Sequence, residues 1–532
     1  MKTKFYFGAF AAIALGFASC SSDEPINGPV DPDGPTVGES YMAVRITNIG
    51  SSGRALLPIE DDFEGPADDK ESAFTKDDVR FYFFTADDRP FIMAQHGVNG
   101  TVSNTNMVAP HVLKPSDDPN TSGNPSDIEG VLVLGEPDKY LGNKPAKVVC
   151  IINPHEEVHP FEYYANKTLG ALRQEAANVP NEFSKFTMTS STYMSNGKSV
   201  CYTDVTEHIE TTADAARKNP AKIFVERLAA KVRVSGLKTY VVKKKDDSGK
   251  PSTEGAEFTI RGLSSLDGYT SDKTTLDMEL VGWKLIKNAN KTFAIKNIDD
   301  CITTPPFTDW NDETRHRSYW AWTACAAAED FYVKTYDIYN DDFSLGNYTA
   351  DAPGVYCYGN TRHEPASATD RTKNATAILV KGVVKLPGKT DGLNLANWAG
   401  DYYLTSTLKE EIVAAWNGSN PTKTATVNDV SFVKGTNPNT WKAHVLTDDF
   451  DRFDNISLWK DGVTSYYVNI KHLGGKFGVV RNHIYDYEFT NVIGLGVPGN
   501  EQENPKDPEA NYLAAVVYCL KWNVVSNQTV LE

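Results

Sequence analysis

Cysteine is sparse in this 532-residue chain: Cys20, Cys150, Cys201, Cys301, Cys325, Cys357 and Cys519 are all there is, and no pair has Cys-x-x-Cys spacing. Zinc-ribbon and dithiol redox frameworks are thereby excluded. Cys150, Cys357 and Cys519 lie in apolar runs, where a buried free thiol is the ordinary state, so no disulfide framework is expected. Basic tracts are also lacking. Lys and Arg number 53 against 70 Asp and Glu, and the net charge of -17 argues against a partner bound through a nucleic-acid phosphate backbone. No G-x-S-x-G, P-loop or dinucleotide fingerprint is present, so no catalytic residue and no cofactor is expected. With 40% hydrophobic and 23% charged residues the composition is that of a globular chain, neither disordered throughout nor a multi-span membrane protein.

The first segment that is rich in something is the N-terminus. Lys2 and Lys4 precede an apolar run from Phe5 to Phe17, too short to span a bilayer, followed by Ala18, Ser19 and Cys20. Residues 1–19 read as an export signal, and Phe17-Ala18-Ser19-Cys20 resembles the bacterial lipoprotein pattern in which Cys20 becomes the lipidated N-terminus. A Pro/Gly/Asp-rich tether follows to Gly38.

Beyond it, short apolar, β-branched or aromatic runs alternate with Gly, Pro, Asn and Asp clusters, as at Val79 to Thr85, Ala146 to Asn153, Ile223 to Val234 and Ala375 to Lys385. This pattern predicts a mainly β chain of antiparallel sandwiches. Helices are expected only at Pro160 to Ala177 and at Ser406 to Trp416, the second capped by Ser406 or Thr407. A boundary is expected near Asn219-Pro220, dividing residues 55–219 from 220–498.

Both ends of the mature chain carry strand patterns. Tyr41 to Thr47 alternates, with Met42, Val44 and Ile46 on one face, and predicts a half-buried strand. It runs into Asn48 to Ala55, a small-residue loop where a trypsin-like protease would cut after Arg54 and free Ala55 as a new N-terminus; Arg45 is a second basic residue within the strand. At the other end, residues 499–510 form an acidic linker to Tyr512 to Leu520, apolar throughout, and then to the alternating Lys521 to Val524. Periodicity leaves open whether that strand completes its own domain or another chain's.

Several blocks together resemble the fimbrillins of protease-assembled, lipoprotein-derived (type V) pili of Bacteroidia-type bacteria, in particular their shaft subunits. The most specific is Gly478-Val479-Val480-Arg481-Asn482-His483-Ile484-Tyr485, continuing to Gly494 to Pro498; Cys20, the first strand with Arg54, Ile223 to Val234, Tyr356 to Thr361 and Ala377 to Gly382 also match. The resemblance implies two β-sandwich-like (transthyretin-like) domains in tandem with short accessory helices. It implies a lipidated propeptide (20–54) at the outer membrane, whose first strand, carrying Met42, Val44 and Ile46, is removed by an Arg-specific protease cutting between Arg54 and Ala55. The vacated groove would take the C-terminal strand of another copy, with Tyr512, Ala514, Val516, Tyr518, Leu520, Trp522 and Val524 as donor residues, giving a head-to-tail fibre with anchor and tip subunits that supports adhesion. A tip or accessory adhesin is the nearest alternative.

Three other features invite chemistry. His155-Glu156-Glu157-Val158-His159 matches a zinc-peptidase HExxH, but Pro154 and Pro160 bracket it and no third ligand follows, so no metal is expected. Asp448 to Asn455 is acidic enough to suggest calcium yet lacks the EF-hand glycine and closing Glu, and a solvated loop is the simpler reading. Asn482 and His483 beside Arg481 are expected to satisfy hydrogen bonds rather than to perform acid–base work. Trp310, Trp320, Trp322 and Trp459, if exposed, would suit a glycan-binding surface lipoprotein, a role with no use for cleavage at Arg54.

Overall fold

A computed structural model describes residues 40–48, 74–96, 102–110, 112–115, 127–134, 145–154, 160–178, 186–195, 198–244, 256–298, 321, 322, 324, 354–361, 375–437, 440–472, 477–498, 512–518, 523–524 and 527–529. The strands that organise it are β1 (Ser40–Asn48), β2 (Val79–Phe84), β3 (Val112–Pro115), β4 (Asp127–Leu134), β5 (Lys147–Ile152), β6 (Met188–Ser190), β7 (Ala221–Arg227) and β8 (Ala229–Ser235). They continue with β9 (Asp277–Ile286), β10 (Val355–Tyr358), β11 (Ala377–Lys385), β12 (Val463–Asn469), β13 (His483–Ile493), β14 (Tyr512–Tyr518) and β15 (Asn527–Thr529). The mainly β expectation holds.

The first sheet runs from Met107–Val108 through β2, β5, β6, β7, β1 and β4 to β3. Alternate residues of these strands, among them Phe81, Phe83, Val148, Cys150, Leu132 and Ile223, meet in one core that also receives Met42 and Val44. The second core lies between two five-strand paths, β10-β8-β13-β14-β15 and Thr239–Val241 with β9, β11, β12 and Val497–Pro498. Val232 and Tyr487 from one sheet face Leu280, Val380 and Tyr466 from the other across it. Outside this sandwich, α4 (Thr405–Ser419) buries Leu408, Ile412 and Trp416 against Ala396, Val430, Val445 and Phe453 in a lobe with its own small core.

Where sequence and structure differ, local causes are visible. The apolar pattern from Ile223 to Val234 is two strands in two sheets: β7 belongs to the first and β8 to the second, so the crossing falls at Leu228 rather than at Asn219-Pro220. No Gly or Pro marks it, and Leu228 is itself buried, so hydrophobicity runs on unbroken. The helix expected over Pro160 to Ala177 is two short ones, α1 (Phe161–Tyr164) and α2 (Leu169–Gln174), because Asn166 takes a left-handed φ of 60° and Thr168 then caps α2 at Ala171 N. Likewise α4 begins at Thr405 with Leu404 as its N-cap, so neither Ser406 nor Thr407 caps it.

Candidate functional site

The first strand is paired along both edges. Along one edge β1 runs antiparallel to β4 from Ser40 opposite Leu134 to Thr47 opposite Asp127. Along the other it runs parallel to β7, from Val44 opposite Ala221 to Asn48 opposite Val225, while Tyr41 and Met42 pair with Glu210 and Ile209. Met42 and Val44 are completely buried, as their alternation requires. Ala43, on the opposite face, is only 3% exposed because the helix α3 (Ala213–Lys218) lies against β1, so between Met42 and Val44 the strand is buried on both faces where half-burial was expected. Ile46 sits in the backbone register opposite Ile128 and Ile223. Gly130, itself buried, stands opposite Val44, so no side chain competes with the valine there.

Cys20, Arg54 and Ala55 lie outside the described residues, as does the HExxH stretch. Among the C-terminal residues, Tyr512, Ala514, Val516 and Tyr518 fall in β14, which pairs antiparallel with β13 of its own chain. Val524 belongs to a separate piece, Asn523–Val524, that pairs with the start of β13 in the parallel sense. The segment read as one strand to Val524 is therefore two, because antiparallel and parallel pairing with one neighbour demand a reversal of the chain between them; Leu520 and Trp522 lie outside the described residues.

A second constellation, invisible in any local pattern, joins the two cores. Glu226 near the end of β7 and Lys296 form an ion pair at 2.8 Å with both side chains fully buried. Burial pushes the Glu226 carboxyl up and the Lys296 ammonium down, each against the pull of the other. Arg227, the next residue, donates from Nη1 to Asn482 Oδ1 at 3.3 Å, and Asn482 N donates to Ala229 O at 2.7 Å. Asn482 adopts φ 58°, which Asn tolerates better than most residues. His483 Nδ1 bonds the Arg481 carbonyl at 2.7 Å, so both Asn482 and His483 take part in hydrogen bonds at the seam. Gly478 has φ 118°, and a Cβ there would meet the Asn360 carbonyl oxygen of the strand beside it. The block from Gly478 to Tyr485 is thus the seam between the sheets.

Lys291–Phe293 strengthens that seam by pairing antiparallel with Ala176–Asn178, after which Ala294 and Ile295 enter a core with Tyr82, Phe84, Val149 and Leu172. β7 therefore touches the first strand along one half and the second sandwich at its end.

The remaining candidates resolve plainly. Asp449 accepts from Lys442 and His444, Asp448 pairs with Lys423, and Asp451 with Lys442, so these carboxylates are engaged by neighbouring basic side chains; no metal-binding group of His, Cys, Asp or Glu occurs among the described residues. Those bonds from Lys442 and His444 hold the Asp449 carboxyl below the usual range. A lowered folded-state value contributes stability above the unfolded value and loses it as pH falls through the folded one. Acidification below the ordinary carboxylate range is therefore expected to speed amide exchange of Trp441–Phe450 before it affects β11; equal loss in both would refute this. Trp459, taken as a possible exposed aromatic, is buried, 5% exposed, and its Nε1 donates to Leu495 O at 3.1 Å. Trp322 is half-buried, and Trp310 and Trp320 lie outside the described residues.

No protein-family model matches the sequence, and no curated protein matches it significantly. Among solved structures, a candidate cell adhesion protein from Bacteroides eggerthii is 9% identical, with 93% of this chain and 98% of that one covered and a TM-score of 0.32. A candidate cell adhesion protein from Parabacteroides distasonis is 12% identical, with 92% and 100% covered and a TM-score of 0.35. At such scores the functional reading rests on this chain's own residues.

Proposed function

We propose that the chain is the precursor of a structural subunit of an adhesive surface fibre, a non-enzymatic protein that polymerises when a protease removes its first strand. The observation that carries this reading is the position of β1: the first strand of the chain lies between two later ones, β4 and β7, with Met42 and Val44 in the core. A cut after Arg54 would leave it held by non-covalent contacts alone, and its departure would open a slot with two unpaired edges and an apolar floor. Covering apolar surface is worth about 25 cal/mol per Å², so a cut subunit is driven toward a strand that fills the slot.

The strand pairings support a direction for such an exchange. Among the described residues, β14 is paired along its length with β13 at home and on its outer edge from Ala515 to Val517 with β15. In the slot a strand pairs along most of its length on both edges, as β1 does. A donor moving from β13 of one copy into the slot of the next gains main-chain hydrogen bonds, and because the contact is head-to-tail it does not close. In this reading Cys20 anchors the exported precursor to the outer membrane through its acyl chains, anchor and tip subunits end the fibre, and no nucleic acid takes part.

The test is to treat purified precursor with an Arg-specific protease and read N-terminal sequence and particle size together. An Ala55 N-terminus with SDS-resistant ladders, abolished by deleting residues 512–532, is the expected result. Clean cleavage with a stable monomer would indicate a tip or accessory adhesin, and resistance at Arg54 would favour the glycan-binding lipoprotein.

A further inference from the structure

The first strand and the C-terminal strand carry matching sequences. Tyr41-Met42-Ala43-Val44-Arg45-Ile46 lies in β1, and Tyr512-Leu513-Ala514-Ala515-Val516-Val517 lies in β14. Taken in the same direction, Tyr512 matches Tyr41 and Ala514 matches Ala43, while Leu513, Ala515 and Val517 stand for the apolar Met42, Val44 and Ile46. The backbone register of β14 at home selects the same face. Val517, Ala515 and Leu513 stand opposite Tyr487, Phe489 and Val492 of β13, which are core residues of the second sandwich. Directly opposite residues share a sheet face, and the bulge between Phe489 and Asn491 keeps that parity. Ala514 and Val516 then fall on the other face, opposite Asn491 and the exposed Glu488.

The slot that β1 occupies has one place for a small residue only. Ala43 is buried where α3 lies against the strand, and the residue that α3 buries is itself an alanine, Ala216. A larger side chain at the place of Ala43 would push the helix off the sheet. On the core face, Met42 stands between Leu132 and Ile209, Val44 between Gly130 and Ala221, and Ile46 between Ile128 and Ile223. A strand seated with Ala514 at the place of Ala43 puts Leu513 where Met42 was, a swap that conserves volume, and Val517 where Ile46 was. A slip that brought Ala515 under α3 would turn every side chain to the opposite face. It would leave the small Ala514 in the place of Met42 and force Tyr518 into that of Ile46.

Resting on the exchange reading above, we propose that the incoming strand of a second copy takes the register of β1 residue for residue, 512–517 over 41–46, and that Ala514, seated beneath α3, fixes that register. The C-terminal segment is recognised because it imitates the strand it replaces. Leu513, Ala515 and Val517 enter the core, whereas Tyr512, Ala514, Val516 and Tyr518, among the donor residues implied by the resemblance, lie on the face toward α3.

The test uses the full-length precursor cut by an Arg-specific protease, with SDS-resistant ladders as the readout. Val516→Arg is expected to polymerise as wild type does, because Arg45 stands at that place in β1, whereas Ala514→Trp should abolish the ladders. Both positions lie on the home face turned from the core, so the uncut variants should keep the wild-type thermal midpoint. A second readout is covalent: Val516→Cys combined with Glu129→Cys, the residue opposite Arg45, should give a disulfide between copies, and Val517→Cys with Glu129→Cys should not. Ladders kept in Ala514→Trp, ladders lost in Val516→Arg, or a disulfide through position 517 in place of 516 would each overturn the register while leaving exchange intact. A cut wild-type chain that stays monomeric would overturn both.

Discussion

Val44→Asp is expected to destabilise the first sheet by about 3–5 kcal/mol, the range found when a buried charge is left without a partner. Val44 is completely buried, stands opposite Gly130 on one side and Ala221 on the other, and packs with Met42, Leu132 and Ile223. The core it shares is built from apolar side chains such as Phe81, Val148 and Ile223. The same change at Val241, which is 50% exposed, is expected to cost no more than about 0.5 kcal/mol and is the natural control. Urea unfolding of the two full-length variants measures the difference. If both behave alike, the first strand does not occupy the centre of the sheet. Under the proposed function, Val44→Asp has a further consequence: a poorly seated first strand should let the uncut precursor associate, because the protease would no longer be needed to vacate the slot.

Glu226→Ala is expected to be nearly as damaging, about 3–5 kcal/mol, because it leaves the fully buried Lys296 ammonium without its 2.8 Å partner. Replacing both members, as in Glu226→Leu with Lys296→Met, should recover most or all of that loss, since an apolar pair pays no desolvation. The double-mutant cycle isolates the pair from its neighbours Ser191 and Arg481, and denaturation midpoints measure it. A double variant as weak as Glu226→Ala would mean that the charges serve geometry at the seam rather than each other.

Much of the fold can be read from local pattern, and the residues that can and cannot be read differ for physical reasons. Met42 and Val44 announce themselves because a strand has period two, and Cys150 and Cys357 because apolar neighbours foretell burial; both are free buried thiols in the structure. The buried ion pair at the seam announces nothing. Glu226, Lys296 and Arg481 are separated by long stretches of chain, and each alone resembles a surface charge. Pairings distant in sequence, of β8 with β13 and of Lys291–Phe293 with Ala176–Asn178, bring them together. Trp459 is hard to place for a related reason: composition cannot tell a ring on the surface from one that buries its face and satisfies its N–H on a distant carbonyl. The C-terminal run was apolar enough to foretell a strand, yet the reversal between β14 and Asn523–Val524 depends on which neighbour they share, which hydrophobicity does not encode.

The one-residue link at Leu228 has a mechanical meaning. β7 and β8 carry a single backbone from one sheet into the other, each with a parallel partner, β1 for the former and β13 for the latter. A tensile load travelling along the chain must pass through both strands in series, with no slack linker to absorb it. In each, the cross-strand hydrogen bonds lie across the direction of pull, so they resist together in shear instead of opening one after another like a zipper. The join between the two sheets is therefore expected to be a stiff point along the chain.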